Sequence, residues 1–407
     1  MKSSSPGTSS TGYKKSFYSR VIFIFAFFGL LILPALIHLS GKWQGSNTEN
    51  RVLASAPVLP ANMADMLKFP AAVDAYLNDH FGLRSQLVAW NNSLRYHLLG
   101  DINAVQLTAG KDGYIFFNSH AANTPLGMVH FLCGRNVTAQ DRAGMVETAS
   151  GFMQTALQTK ADSYLLMVPT KPIVYAEKMP DWLQSQCQLY TPTLPGVIAS
   201  LDQKRGLAGR VIYPLSEMLA LKAKTEVYPK NTFHWTGMGP QALAQWLSEK
   251  YFKHPSLSTL SAQLHDRPSD IQQFLPGVTL NVPTREPDYA RAGITACAGV
   301  DCFPEWKGVA ASLGDVSRYR HEKKQGPRLL LISDSFGHGI AGFFAEYYGE
   351  VWHLSMNNIN LLTETERASL KKIVFEDFAP DQVLYVFHDA AISYFERAPA
   401  QLLNAKK

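Results

Sequence analysis

Several features that would fix a function class early are missing from this chain. It has four cysteines in 407 residues. None of them forms a Cys-x-x-Cys pair, and no histidine pair stands at metal-ligand spacing. That argues against a zinc or iron–sulfur module. The body carries no Lys/Arg stripe interleaved with aromatics, and its formal charge is only +5, so nucleic acid is not an expected partner. No internal repeat is present. The first twenty residues contain Lys2, Lys14, Lys15 and Arg20 but no acid. What is abundant is apolar material: 46% hydrophobic and 11% aromatic residues, ample for a large core, which excludes global disorder.

The basic leader precedes an apolar run from Val21 to Leu39, broken only by Gly29, Pro34 and His38. This exceeds the roughly 7–15 residues of a signal-peptide core and meets the roughly 17–25 that span a bilayer. No small-x-small cleavage site follows. The expected arrangement is a cytoplasmic tail over 1–20, a transmembrane anchor over 21–39, and everything after residue 40 across the membrane. A cleaved signal peptide is the alternative, and it too exports the body. Four cysteines in an exported chain point to disulfides. Cys297 and Cys302 bound a short loop that a bridge would close, which leaves Cys133 with Cys187; three pairings are possible in all.

Residues 40–105 read as a linker followed by two amphipathic helices between Phe69 and Leu99, separated near Gly82. Beyond them, Gly110-Lys111-Asp112-Gly113 is a tight turn entering a strand at Tyr114–Phe117. Buried strands are expected at Tyr164–Pro169, around Arg210–Tyr213, and at Leu329–Ile332, Val351–Leu354 and Gln382–Phe387. Helical spacing lies between them, notably over 141–160, 215–223 and 239–252. Strands alternating with helices predict an α/β fold with a mostly parallel sheet covered on both faces. Residues 253–325 are Pro-rich and aperiodic and read as an irregular insertion.

Two segments carry chemistry. Leu329–Ile332 delivers Ser333-Asp334-Ser335-Phe336-Gly337 into a strand-to-helix turn, the kind of turn that exposes a nucleophilic serine. Asn231-Thr232-Phe233-His234-Trp235 supplies a base. Backbone N–H groups of the helix after Ser335 would hold an oxyanion. Each signal has a plainer reading, Ser335 as a helix cap and His234 as a core histidine.

Read together, these segments resemble the alginate O-acetyltransferase group (AlgJ- and AlgX-like proteins), whose catalytic domain is a permuted relative of the SGNH hydrolases. The resemblance runs in order through Glu49-Asn50-Arg51, Phe69–Arg84, Gly110–Phe116, Val168-Pro169-Thr170-Lys171-Pro172, Lys230–Gly239, Leu330–Gly337 and Ala379–Tyr385. It implies a three-layer α/β/α SGNH-like domain over 106–395. Ser335 would be the nucleophile and His234 the base, with Thr232 where the family has aspartate. No cofactor or metal is implied. It further implies a bacterial inner-membrane protein whose periplasmic domain acetylates an exported polysaccharide. The acetyl groups would be supplied by a membrane-bound O-acyltransferase (MBOAT).

Two departures matter. Ser333 replaces a glycine, and neither Thr232 nor Asn231 can stabilise an imidazolium as a carboxylate does. Loss of that acid costs a triad about four orders of magnitude in turnover. One remedy is a distant carboxylate behind the histidine, such as Asp389, otherwise a surface turn acid. Another reading is a degenerate accessory protein that binds polysaccharide or the acyltransferase. A polysaccharide acetyl esterase is the remaining rival.

Overall fold

The computed structural model describes residues 10–40, 53–80, 83–119, 123–254, 260–323, 325–397 and 399–404. The chain forms two compact units, one of 1–103 with 273–278 and the other of 104–272 with 279–407.

The first unit is helical. Ser10–Leu39 is one 30-residue helix, on which Phe23, Phe25 and Leu30 are exposed. Counted over the described residues, no helix is long and apolar enough to cross a membrane. Met63–His80 and Arg84–Leu94 are the two amphipathic helices, and the second runs on as a wider turn through Arg95–Leu99. The segment 273–278 joins this unit by packing on Arg84–Leu94. Asn92 donates its side-chain amide to the Pro276 carbonyl at 3.1 Å. At Gly277 (φ 87°) a Cβ would stand 2.2 Å from the Ala89 carbonyl oxygen, so the close approach requires glycine.

The second unit is mixed α/β. Its strands among the described residues are β1 Leu107–Ala109, β2 Ile115–Phe117, β3 Asp162–Val168, β4 Val211–Ile212, β5 Ala262–Pro268, β6 Asn281–Pro287, β7 Ile294–Ala298, β8 Val316–His321, β9 Arg328–Ser333, β10 Glu350–Ser355 and β11 Gln382–His388. Seven form one sheet in the order β4-β3-β11-β9-β10-β8-β7. The first five are mutually parallel, and β8 and β7 pair antiparallel at one edge. Successive residues of a strand point to opposite faces. Leu165–Val168, Leu329–Ile332 and Val383–Val386 are nonetheless buried without a break. The sheet is therefore covered on both sides, as parallel sheets require. The expected helices are present as Ala139–Ala156, Leu215–Lys222 and Met238–Lys250; the first is opened by a Thr138/Asp141 capping box.

The stretch 253–325 is not an irregular insertion. It supplies the two-stranded ribbon β5–β6, the antiparallel strand β8 and the edge strand β7 beyond it. Both β8 (Val-Ser-Arg-Tyr-Arg-His) and β7 (Ile-Thr-Ala-Cys-Ala) carry polar or small residues throughout, and β5 (Ala-Gln-Leu-His-Asp-Arg-Pro) is mostly exposed, so none shows the continuous apolar run of a central strand. The cysteines pair as Cys133–Cys187 and Cys297–Cys302, with Cα separations of 5.2 and 5.7 Å. The first ties together chain segments 54 residues apart, and the second closes the short loop after β7.

Candidate active site

The carboxyl ends of β3, β9, β10 and β11 share one edge of the sheet, where open α/β folds place their ligands. The chain leaves β9 at Ser333 and turns through Asp334, Ser335, Phe336 and Gly337. Asp334 is buried and fixes that turn. Its Oδ1 accepts from the Phe336 N–H at 2.9 Å, and its Oδ2 accepts from the His388 N–H at 2.9 Å and the His388 Nδ1–H at 2.6 Å. Ser333 is also buried and donates its hydroxyl to the Asp334 carbonyl at 2.6 Å. A Cβ on Gly337 would stand 2.0 Å from that hydroxyl, so glycine is required where the turn folds back on Ser333. The helix that follows, His338–Ala341, has only four residues. Among the described residues no group accepts from the Ser335 N–H, which leaves that donor for an oxyanion.

His234 arrives from a loop anchored on both sides. Lys171, fully buried after β3, donates to the carbonyls of Lys230 (2.8 Å) and Ile115 (3.0 Å). Burial pulls its ammonium down to about 7, with Asp270 and Glu226 acting in the other direction. On the far side Trp235 donates its indole N–H to the Phe336 carbonyl at 3.0 Å, tying the histidine loop to the serine turn.

These anchors place His234 Nε2 2.8 Å from Ser335 Oγ. Behind the ring, His234 Nδ1 lies 2.7 Å from a carboxylate oxygen of Asp270. The same carboxylate accepts the backbone N–H groups of Phe233 and His234, both at 2.8 Å. Burial acts to raise the Asp270 carboxyl, but the His234 imidazole and the two amides outweigh it and hold the group below its ordinary value. Serine, histidine and aspartate thus stand in line, with His234 and Asp270 each about one-quarter exposed.

Asp270 corrects the sequence reading on three counts. Thr232 does not orient the ring: it is buried, and its hydroxyl reaches the His234 carbonyl at 3.3 Å. Asn231 turns away to the Asn281 carbonyl. Asp389 is neither the missing acid nor a surface residue. It is fully buried and accepts from the Thr170 amide (3.1 Å) and hydroxyl (2.9 Å), and burial pushes its carboxyl up to about 6. The true partner lies 36 residues after the histidine, where β5 ends. Its neighbour Ser269 hydrogen-bonds the Asn231 carbonyl, pinning the acid against the histidine loop. The one sequence signal for it was a Ser-Asp pair after Pro268 opening a helical turn, and such pairs are common.

The triad opens into a cavity of about 820 Å³, whose walls include Arg285, Tyr289, Tyr319 and Phe343. The Tyr289 and Tyr319 rings lie 5.3 Å apart, centre to centre. A serine hydroxyl within hydrogen-bond reach of a histidine, beside such a cavity, suits acyl transfer or ester hydrolysis.

No protein-family model matches the chain, and no curated protein matches it. Solved structures do. A DHHW family protein from Eubacterium siraeum is similar over 65% of this chain and 88% of its own, at 15% identity and a TM-score of 0.47. The O-acetyltransferase domain of Pseudomonas putida AlgJ is similar over 74% of this chain and 99% of its own, at 17% identity and a TM-score of 0.41. Pseudomonas aeruginosa AlgX is similar over 73% of this chain and 66% of its own, at 16% identity and a TM-score of 0.37.

Proposed function

We propose that the protein is a serine-dependent O-acetyltransferase acting on an exported polysaccharide. Residues 21–39 anchor it in a bacterial inner membrane, and the second unit works in the periplasm. The observation that carries the reading is the Ser335–His234–Asp270 alignment, at 2.8 and 2.7 Å, on the carboxyl edge of the sheet. The acetyl group and the polysaccharide come from the ordered resemblance of the sequence motifs. Export and anchoring rest on the basic leader and the apolar run, and the two disulfides suit an oxidising compartment.

His234 Nε2 takes the proton from Ser335 Oγ as the oxygen attacks the acetyl carbonyl of a donor supplied by an MBOAT-type partner. Asp270 holds the ring with Nδ1–H turned inward and stabilises the imidazolium that forms. The Ser335 N–H faces the developing oxyanion. The imidazolium then protonates the leaving oxygen, and acetyl-Ser335 remains. In the second half a sugar hydroxyl gives its proton to His234 and attacks the acetyl carbon, which transfers the group and restores the serine. The Tyr289 and Tyr319 rings offer apolar faces to a sugar ring and keep water from the ester.

The accessory reading arose from the absence of an acid at Thr232, and Asp270 removes its motive. The test is the O-acetyl content of the exported polysaccharide in a wild-type strain, a deletion strain, and a strain with Ser335→Ala at matched expression. The proposal expects deletion and Ser335→Ala to lose acetyl groups equally. Normal acetylation with Ser335→Ala would make the serine idle, and a rise on deletion would make the protein an esterase.

A further inference from the structure

We propose that Asp315, His338 and His353 form a binding site for one divalent transition-metal ion in the wall of the catalytic cavity. The inference goes beyond the acyl-transfer reading, because a serine triad needs no metal. It also departs from the expectation drawn from the sequence, in which no ligand spacing is visible. The three residues are far apart in the chain, and the sheet assembles them. Asp315 stands just before β8, His338 follows the serine turn, and His353 lies within β10 opposite Ser317 of β8. One ligand atom from each lies within 4.8 Å of the other two. Asp315 Oδ1 and His338 Nδ1 are 3.2 Å apart. Two ligands of one tetrahedral ion, each about 2.0–2.1 Å from it, stand about 3.3 Å apart, so that pair is already at coordinating distance.

His353 is set up to complete the site. Its ring is fully buried, with Nε2 2.8 Å from Ser333 Oγ and Nδ1 3.4 Å from Ser317 Oγ. Ser333 spends its own proton on the Asp334 carbonyl, so toward the ring it can only accept. Nε2 therefore carries the hydrogen and Nδ1 is bare, which is the neutral form a metal takes up. An outer hydrogen bond that fixes the tautomer in this way is the usual companion of a metal-bound histidine. Closing the site requires a movement of at most about 1.5 Å, the difference between 4.8 Å and that ligand spacing. His338, an exposed side chain, is free to make it.

Two imidazole nitrogens and one carboxylate select zinc, cobalt or a similar ion over calcium and magnesium, which prefer oxygen. Three protein ligands leave a fourth position open. Because Asp315 and His338 line the same cavity as Ser335, that position would put a Lewis acid beside the acyl-transfer site.

The test is metal binding by the untagged, full-length, metal-free protein, titrated with Co2+ and then Zn2+. The proposal expects one Co2+ per chain, with the intense visible bands of tetrahedral cobalt, displaced by Zn2+. His338→Ala, a surface change that leaves the fold intact by thermal melting, should weaken binding more than about 100-fold, since even outer partners are worth 10–100-fold. Ser333→Ala, which releases the tautomer, should weaken it about 10–100-fold. His234→Ala should bind as wild type does. The proposal is overturned if no stoichiometric ion binds, which would leave His338–Asp315 a plain ion pair. It is overturned equally if His338→Ala binds unchanged, or if His234→Ala abolishes binding and so moves the ion to the triad.

Discussion

The second unit contains the same histidine–aspartate device twice. In each case one carboxylate oxygen accepts both the backbone N–H and the Nδ1–H of a single histidine, and the other oxygen accepts a second amide. Asp270 does this for His234 and Phe233, and Asp334 does it for His388 and Phe336. The Nδ1 to carboxylate distances are 2.7 and 2.6 Å. The surroundings separate the two. His234, on the cavity with Nε2 on Ser335, and Asp270 stand 28% and 23% exposed, whereas His388 and Asp334 stand 3% and 7% exposed. The device itself only locks a ring and a loop. Position decides whether the locked ring serves chemistry or architecture.

Breaking the two pairs one at a time should therefore give opposite phenotypes. The largest effect is expected from Asp270→Asn, which leaves the ring free to take the wrong tautomer. Acyl-enzyme formation should fall about four orders of magnitude, or about 5 kcal/mol of barrier, with the melting temperature little changed. Asp334→Asn should do the reverse. With its remaining oxygen still accepting the Phe336 N–H, it puts an amide NH2 where Oδ2 accepts two donors from His388, and should cost about 3–5 kcal/mol of stability by denaturant unfolding, with activity lost only as the fold is lost.

A smaller effect separates a third histidine from both. Burial pulls His353 down to about 4 from an ordinary 6.5. Its folded-state pKa lies below its unfolded one, so the unfolded chain takes up the proton first. The stability of the metal-free protein should fall as pH drops from about 6.5 to about 4. A His353→Gln variant should lack that component, worth about 3 kcal/mol across the window. The smallest effect is expected at Thr232. Thr232→Ala should change turnover less than about threefold, the loss of one neutral hydrogen bond. Thr232→Asp should bring no gain, because Asp270 already fills the position behind the ring.

The two halves of the triad differ in how far the sequence reveals them. Ser335 and His234 sit in compact segments, one shortly after the four-residue apolar run Leu329–Ile332 and one beside a tryptophan, and both are legible from local pattern. Central strands such as Leu329–Ile332 are legible for the same reason, since burial on both faces demands an unbroken apolar run. Asp270 is not, because the chain must build the β5–β6 ribbon before its carboxylate reaches the histidine 36 residues away. Strands β7 and β8 hide because neither carries an unbroken apolar run. Asp389 shows the converse: its place after the last strand suggests either an acid behind the histidine or a surface turn, but it is buried and braces Thr170. Asp315, His338 and His353 converge only through sheet register, which no spacing rule detects.

The central claim is that Asp270, and not Thr232, completes the triad. The most direct measurement is the burst of acyl-enzyme formation from a chromogenic acetyl ester, compared for wild type, Asp270→Asn and Thr232→Ala at equal folded concentration. The account predicts a rate for Asp270→Asn lower by about four orders of magnitude and one for Thr232→Ala within about threefold of wild type. A wild-type burst from Asp270→Asn would contradict it.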